Sequence, residues 1–196
     1  MSPNGGVCLA GFFLVRCTLL SAPIHDVAAA GDCKKLKSLL RANRNLAYER
    51  DADGRTALHF AAQEGRTSAA KLLVDGTGNA VIEDARGWTP LHVAALKAQS
   101  EVAGLLLQKG ARIDQQTKDK AWTPLHLAIG RGHRGMVSFL ISHGADMELQ
   151  AEDGITPLHM AIIKGNAEIT KLLLEKGARL EATLVNGQTA LHIAAA

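Results

Sequence analysis

Histidine is the residue type whose placement most invites a chemical interpretation, because imidazole can bind metal ions and transfer protons. Six of the eight histidines end a recurring tetrapeptide, and they are His25, His59, His92, His126, His159 and His192. If each tetrapeptide opens one layer of a stack, neighbouring imidazoles lie about 10 Å apart, too far to share one metal ion. We therefore predict no metal site and no catalysis at these positions. The other two, His133 and His143, have no Cys or carboxylate cluster beside them and are predicted to be surface residues.

A glycine-rich segment also matches a ligand-binding pattern. Residues 130–135 read Gly-Arg-Gly-His-Arg-Gly, which fits the G-x-G-x-x-G motif of dinucleotide-binding proteins. That motif needs a β-strand before it, whereas an Ala-rich helical segment precedes it here. No phosphate-binding loop and no nucleophile elbow occurs elsewhere in the sequence. We predict that the chain is not an enzyme and binds no cofactor.

The tetrapeptide is the start of a longer repeat. It reads Thr-Ala-Leu-His at residues 56–59 and 189–192, and Thr-Pro-Leu-His at residues 89–92, 123–126 and 156–159. Threonine is suited to cap a helix, and proline is suited to the first helical position. A short Ala-rich segment, a turn glycine, a Leu-rich segment and a Gly-Ala pair follow in most units. Each unit is therefore predicted to form a pair of helices joined by a turn.

These residues together resemble the ankyrin repeats, over residues 22–196. The resemblance implies an all-α fold, namely a solenoid of stacked helix-turn-helix units with β-hairpin-like finger loops and a concave face. It also implies that each tetrapeptide histidine hydrogen-bonds the backbone between neighbouring units. The predicted units are 22–55, 56–88, 89–122, 123–155 and 156–188, followed by a partial unit at 189–196.

Four positions depart from the repeat pattern. Asn43 and Thr77 replace the glycine that closes the second helix, Ala98 replaces the turn glycine, and Ala121 replaces a glycine in the finger loop. An alanine forced to a positive φ is strained by roughly 1 kcal/mol or more. Because unit 89–122 also carries one extra residue, we expect the finger before Thr123 to be the least regular.

Composition excludes several classes of protein. The 196 residues are 47% hydrophobic and only 4% aromatic, with a net charge of +3, which excludes intrinsic disorder. The absence of a long Lys/Arg block argues against nucleic-acid binding, and no apolar run reaches the roughly 20 residues of a membrane span, so we expect neither a nucleic acid nor a membrane as partner. We expect a monomeric, cytoplasmic protein, with a nuclear location also open.

Residues 1–21 form an apolar segment with three open interpretations. It is a cap that covers the first repeat, a secretory signal or membrane anchor, or an alternative start of the chain. Residues 7–20 are apolar except for Arg16 and Thr18, and no Lys or Arg precedes Arg16. Because a secretory signal begins with positive charge, we favour the cap.

The positions of the two tryptophans in the sequence indicate a partner-binding surface. Solenoids that resemble this one bind through the fingers and the exposed face of the first helix, and Trp88 and Trp122 each directly precede the anchor Thr of adjacent units. Trp and Arg dominate binding hot spots when they are desolvated. The predicted surface takes an acidic and apolar segment of another protein, and consists of Arg55, Arg86, Trp88, Lys97, Lys120, Trp122, Arg131, Ile155 and Lys164. The alternative is that each tryptophan packs along its own finger and that the charges are only solvated.

Two functions remain open from the sequence. The first is a non-catalytic interaction module that acts as an adaptor, scaffold or inhibitor. The second is the ankyrin portion, or a truncated isoform, of a larger signalling protein, channel or ubiquitin-ligase subunit. The second is kept because residues 189–196 stop inside the first helix of a unit.

Overall fold

The structure is a computed structural model that describes residues 24–195. The three interpretations of residues 1–21 therefore lie outside the described residues. Within that range the chain forms eleven α-helices and two short 3₁₀ helices, at Arg44–Tyr48 and Glu152–Gly154. The α-helices are α1 Ile24–Ala30, α2 Cys33–Ala42, α3 Ala57–Gln63, α4 Thr67–Thr77, α5 Pro90–Leu96, α6 Ser100–Gln108, α7 Pro124–Gly130, α8 Arg134–Ser142, α9 Pro157–Ile163, α10 Ala167–Glu175 and α11 Ala190–Ala194.

The helices stack in two rows. Helices α1, α3, α5, α7, α9 and α11 each contact the next member of the first row. The second row consists of α2, α4, α6, α8 and α10, and each of these packs against the first helix of its own unit. This arrangement confirms the predicted all-α solenoid of stacked helix-turn-helix units. The G-x-G-x-x-G segment lies at the turn between α7 and α8, as expected, and not in a strand-to-helix loop.

Alanine and leucine fill the space between the rows. The alanine at the middle of the first helix, represented by Ala61, Ala94 and Ala128, is fully buried in successive units. Leu91 and Leu125, which follow the capping position, are also fully buried. Alanine allows short helices to approach closely, so this core needs no large ring to fill it. The low aromatic content of the chain therefore follows from the architecture.

The fingers close by a backbone hydrogen bond across each loop. In the finger before Thr89, the Asp84 N–H donates to the Trp88 carbonyl at 2.8 Å. The equivalent bond in unit 89–122 runs from the Thr117 N–H to the Trp122 carbonyl and spans one residue more. The extra residue is therefore accommodated at the tip of that finger, where Ala121 has a φ of 51°. The predicted irregularity is present, but the next finger also departs from the pattern, since Asp153 has a φ of 61°.

The two replaced closing glycines have different outcomes. At Thr77 the helix continues through that residue, and the left-handed conformation moves to Gly78, which has a φ of 66°. At Asn43 the chain is extended, with a φ of −151°, and leads directly into a 3₁₀ helix. The second helix of the first unit therefore ends without a left-handed residue.

Among residues 24–195, no helix combines the length and the apolar character needed to cross a bilayer.

Three of the first-row helices begin with proline at their first position, and all of α3, α5, α7, α9 and α11 follow a threonine.

Ala98 offers a direct test of backbone strain. It has a φ of 56°, and the equivalent residue two units later is Gly165, with a φ of 63° and open space where a Cβ would stand. We expect Ala98→Gly to raise the free energy of unfolding by about 0.5 kcal/mol, because relief of left-handed strain outweighs the added freedom of the unfolded chain. Gly165→Ala is the matched inverse and should lower it by a similar amount. Urea denaturation measures both, and a loss of stability in Ala98→Gly would contradict the strain argument.

Candidate functional site

A threonine–histidine pair begins each first-row helix from α3 onward. At the start of α5, the Thr89 N–H donates to Nδ1 of His92 at 3.1 Å, while the Thr89 hydroxyl oxygen accepts from the His92 N–H at 3.4 Å. The same reciprocal pair begins α3, α7, α9 and α11. Two free N–H groups of each helix start are therefore satisfied by one threonine and one histidine.

The other ring nitrogen of each histidine reaches the next unit. The Nε2 atom lies 3.0 Å from the Trp88 carbonyl oxygen in His59, and 3.1 Å from the Trp122 carbonyl oxygen in His92. Because Nδ1 accepts from a backbone N–H, the proton must be on Nε2, which donates to the carbonyl. These rings therefore act as neutral links between a helix start and the following finger.

The predicted role of the histidines holds for most positions but not for all. His25 and His126 make the same inter-unit bond, to the carbonyl oxygens of Glu49 and Ile155. His159 does not, because its Nε2 atom is buried without a hydrogen-bond partner among residues 24–195. The His192 ring is exposed and, among the described residues, bonds Thr189 alone. The regular lattice therefore runs from the first finger to the one that ends at Ile155.

The prediction that His133 and His143 are surface residues was correct for only one of them. His143 is exposed and stacks on Phe139 at a centroid distance of 4.0 Å. His133 is half-buried, and its Nε2 atom lies 3.0 Å from the Leu96 carbonyl oxygen in the preceding unit. The structure therefore adds a second kind of inter-unit histidine contact, which the tetrapeptide pattern did not indicate.

A groove runs between the fingers and the first-row helices. It consists of a cavity of about 160 Å³ at units 56–88 and 89–122, and a second of about 300 Å³ one unit further along. Trp88 and Leu96 line both cavities, which makes the groove continuous. The lining residues are Arg55, His59, Phe60, Gln63, Asp84, Arg86, Trp88, Val93, Leu96, Lys97, Trp122, His126, Leu127, Gly130, Arg131, Met160 and Lys164.

The two tryptophans belong both to the core and to the groove. Each is half-buried and packs against the buried hydrophobic cluster. Each also lines the groove, and the Trp88 indole N–H is buried without a hydrogen-bond partner among the described residues. The guanidinium of Arg86 lies 5.8 Å from the centre of the Trp88 ring. Packing and exposure to a ligand are therefore not exclusive alternatives at these two positions.

Three of the predicted basic residues form a regular row. Lys97, Arg131 and Lys164 are the C-cap residues of α5, α7 and α9, and all three are exposed. None of them forms an ion pair within residues 24–195. Positive charge is favourable at a helix C-terminus, which accounts for their stability without an acidic partner. In unit 56–88 the equivalent residue is Glu64, so the row is positive at three units and negative at one.

Two other predicted basic residues have acidic partners within the protein. The Arg55 guanidinium lies 2.8 Å from the Asp51 carboxylate and 3.2 Å from that of Asp53, and it covers the Phe60 ring. Lys120 lies at a finger tip, 2.9 Å from a carboxylate oxygen of Glu152. Neither Lys120 nor Ile155, which is half-buried against the core, lines the groove.

The structure also brings in groove residues that the sequence pattern did not single out. Leu96, Leu127 and Met160 form the apolar floor beside the tryptophans. Leu127 and Met160 are almost fully buried and occupy equivalent positions, four residues after the anchor threonine. Within residues 24–195 no group of three or more His, Cys, Asp or Glu side chains is placed to hold a metal ion.

Comparison with known proteins gives one positive finding. A family model described as "Ankyrin repeats (3 copies)" matches residues 24–119 and again residues 125–196. The two matches together cover nearly all of the chain that the structure describes. A comparison with curated proteins finds no match.

The buried histidines predict a loss of stability in mild acid. Burial lowers the pKa of His92 to about 4 and that of His126 to about 4, although the hydrogen bonds to the next finger act in the opposite direction. Burial also lowers the pKa of His59 and of His159. The unfolded chain takes up these protons near pH 6.5, so between about pH 6.5 and 4 it holds more protons than the folded chain. The contribution of these histidines to the free energy of unfolding is therefore fully present above pH 6.5. It is lost as the pH falls through 6.5 towards 4, by about 3 kcal/mol for each of His92 and His126.

Urea denaturation between pH 7.5 and about 4.5 measures this dependence. His92→Gln and His126→Gln should each flatten the curve, since glutamine keeps an acceptor for the threonine N–H but does not titrate. In the wild-type protein, NMR titration of the His92 and His126 rings should show protonation near pH 4. A variant with the wild-type pH dependence, together with ring titration near pH 6.5, would contradict the neutral-link assignment.

Proposed function

Because the chain belongs to the ankyrin repeat family, whose repeats generally mediate protein–protein interaction, we propose that it is a non-catalytic module that binds another protein. It acts as an adaptor, scaffold or inhibitor, as a monomer in the cytoplasm. The free, half-buried thiol of Cys33 is compatible with a reducing compartment. The binding surface is the groove, and the partner contributes an acidic and apolar segment.

The observation that carries this proposal is the row of exposed cations beside an apolar floor. Lys97, Arg131 and Lys164 recur once per unit along the groove, without ion-pair partners among the described residues. An acidic segment that lies along the groove meets these charges in order. Complementary charge raises the association rate and selects against basic partners, so it supplies specificity more than affinity.

The apolar floor supplies the affinity in this proposal. The cavity of about 300 Å³ between Trp88 and Trp122 is large enough for an aliphatic or aromatic side chain of the partner. Aromatic residues that are already held by packing lose little conformational freedom on binding, and they therefore serve as effective anchors. The hydrogen bonds from His59 and His92 to the tryptophan carbonyls fix the backbone from which the two rings extend, and the rings themselves pack against the core.

Replacing both tryptophans with alanine does not by itself separate binding from stability. Both rings pack against the core, so Trp88→Ala/Trp122→Ala is expected to weaken binding and also to lower the melting temperature. The exposed cations are a cleaner test, because their side chains make little contact with the core.

We expect the triple variant Lys97→Glu/Arg131→Glu/Lys164→Glu to lose partner binding while keeping its fold. A library of random peptides selected on the immobilised wild-type chain provides the ligands, and selected sequences should be rich in Asp or Glu together with apolar residues. Fluorescence anisotropy then measures each variant, and the dissociation constant should increase more than about tenfold in the triple variant.

The matched control reverses three exposed cations that do not line the groove. Arg112→Glu/Lys176→Glu/Arg179→Glu changes the net charge by the same amount and should leave the dissociation constant within about twofold. Equal losses in the two variants would show a general charge effect in place of a groove. Selected peptides without acidic residues would contradict the proposed partner chemistry.

A further inference from the structure

A second charged surface lies on the second row, in the first unit. Helix α2 contains Lys34, Lys35, Lys37 and Arg41 and no acidic residue, and Arg44 begins the 3₁₀ helix that follows. Each of the other second-row helices has a net charge between −1 and +1. The concentration of positive charge is therefore particular to this unit and not a property of the repeat.

These five cations are unpaired in the part of the chain that the structure describes. All five are exposed, and none forms an ion pair within residues 24–195. The nearest acids in the sequence are Asp32, which caps the start of α2, and Glu49, which follows the 3₁₀ helix. The Asp32 carboxylate accepts a hydrogen bond from the Lys35 N–H at 3.0 Å, so it caps the start of the helix and is not paired with the cations. Like charges held together at this density are unfavourable unless an anion neutralises them.

Three of the cations converge on a depression with an apolar floor. Lys37, Arg41 and Arg44 line a cavity of about 270 Å³, together with Leu40 of the same helix and Leu72 of α4. No residue of this cavity lines the groove. The surface that consists of Lys34, Lys35, Lys37, Arg41, Arg44 and this depression is called the basic patch below.

We propose that the basic patch binds an anionic phospholipid surface, with lipid headgroups seated among Lys37, Arg41 and Arg44. A cluster of four to eight cations is the usual size for recognition of acidic lipids. The leucines in the floor give apolar contact at the level just below the headgroups, which a binding site for a free anion would not need.

The sequence next to the patch favours a membrane over the other anionic partners. Residues 7–20 are apolar except for Arg16 and Thr18, and residues 1–25 contain no Asp or Glu. Stable membrane attachment usually requires two signals, and the chain offers an apolar segment at residues 7–20 and, after α1, the polybasic helix α2. Of the three interpretations of residues 1–21, the proposal takes the membrane anchor in place of the cap. RNA is a weaker candidate, because no aromatic side chain lines the cavity to stack on a base.

Vesicle binding by the full 196-residue chain tests the proposal. The probes are phosphatidylcholine vesicles with and without about 30% phosphatidylserine, and sedimentation measures the partition coefficient. We expect binding to the acidic vesicles that weakens strongly between about 0.1 M and 1 M salt, since the Debye length shortens from about 10 Å to 3 Å. The triple variant Lys37→Ala/Arg41→Ala/Arg44→Ala should bind about a hundredfold more weakly, because each cation near an acidic membrane contributes about 1 kcal/mol.

Two controls keep this test separate from the groove. All three replaced side chains are exposed and lie in or next to a helix, where alanine is favourable, so circular dichroism and melting should be unchanged. Lys97→Ala/Arg131→Ala/Lys164→Ala removes the same charge from the groove and should bind acidic vesicles like the wild type.

Several results would overturn the proposal. They are the absence of vesicle binding, equal binding to vesicles without phosphatidylserine, and an unchanged partition coefficient in the Lys37/Arg41/Arg44 variant. A short single-stranded RNA that displaces the protein from acidic vesicles would assign the patch to nucleic acid.

Discussion

The hydrogen bonds of one histidine per unit hold the rest of the structure in place. Nδ1 closes the start of the helix with threonine, and Nε2–H donates to a carbonyl oxygen of the following finger, as in His59 to Trp88 and His92 to Trp122. A helix of seven residues is too short to be stable alone in water. In α1, α3, α5 and α7 the histidine ties the short helix to the following finger, so local structure and stacking form together there.

The same bonds place the candidate binding surface. The residues whose carbonyls accept from histidine include Trp88 and Trp122, whose side chains line the groove. The backbone of each finger is further fixed by the next finger, since the Lys118 N–H donates to the Arg86 carbonyl at 2.9 Å. A surface held in this way changes little when a partner binds, which favours affinity because less conformational freedom is lost.

The chain also arranges its positive charge in two different ways, one on each row of helices. In the groove the cations are spaced one per unit, because one lies at the C-cap of each of the helices α5, α7 and α9. The basic patch carries five within eleven residues of one unit. Spaced charges suit an extended chain that crosses several units, whereas a dense cluster suits a surface of many anions. Together the two proposals describe a protein that presents its partner groove while its first unit rests on a membrane.

The sequence by itself determined the fold, because a period of 33 or 34 residues with Thr, Pro and His at fixed positions specifies where each helix begins. It also located Ala121 as a strained finger residue and Trp88 with Trp122 as neighbours on one side. The tertiary structure alone decided which of the predicted site residues have internal partners, since Arg55 and Lys120 pair with acids two to thirty-two residues away. It also decided that His159 lacks the inter-unit bond of its counterparts among residues 24–195, that the floor residues Leu127 and Met160 are buried beside the groove, and that Lys37, Arg41 and Arg44 converge. A repeat pattern fixes each unit's backbone, but ion pairs and cavities depend on the orientation of side chains, both within a unit, as for Arg55, and between units, as for Lys120, and the spacing along the chain does not contain that orientation.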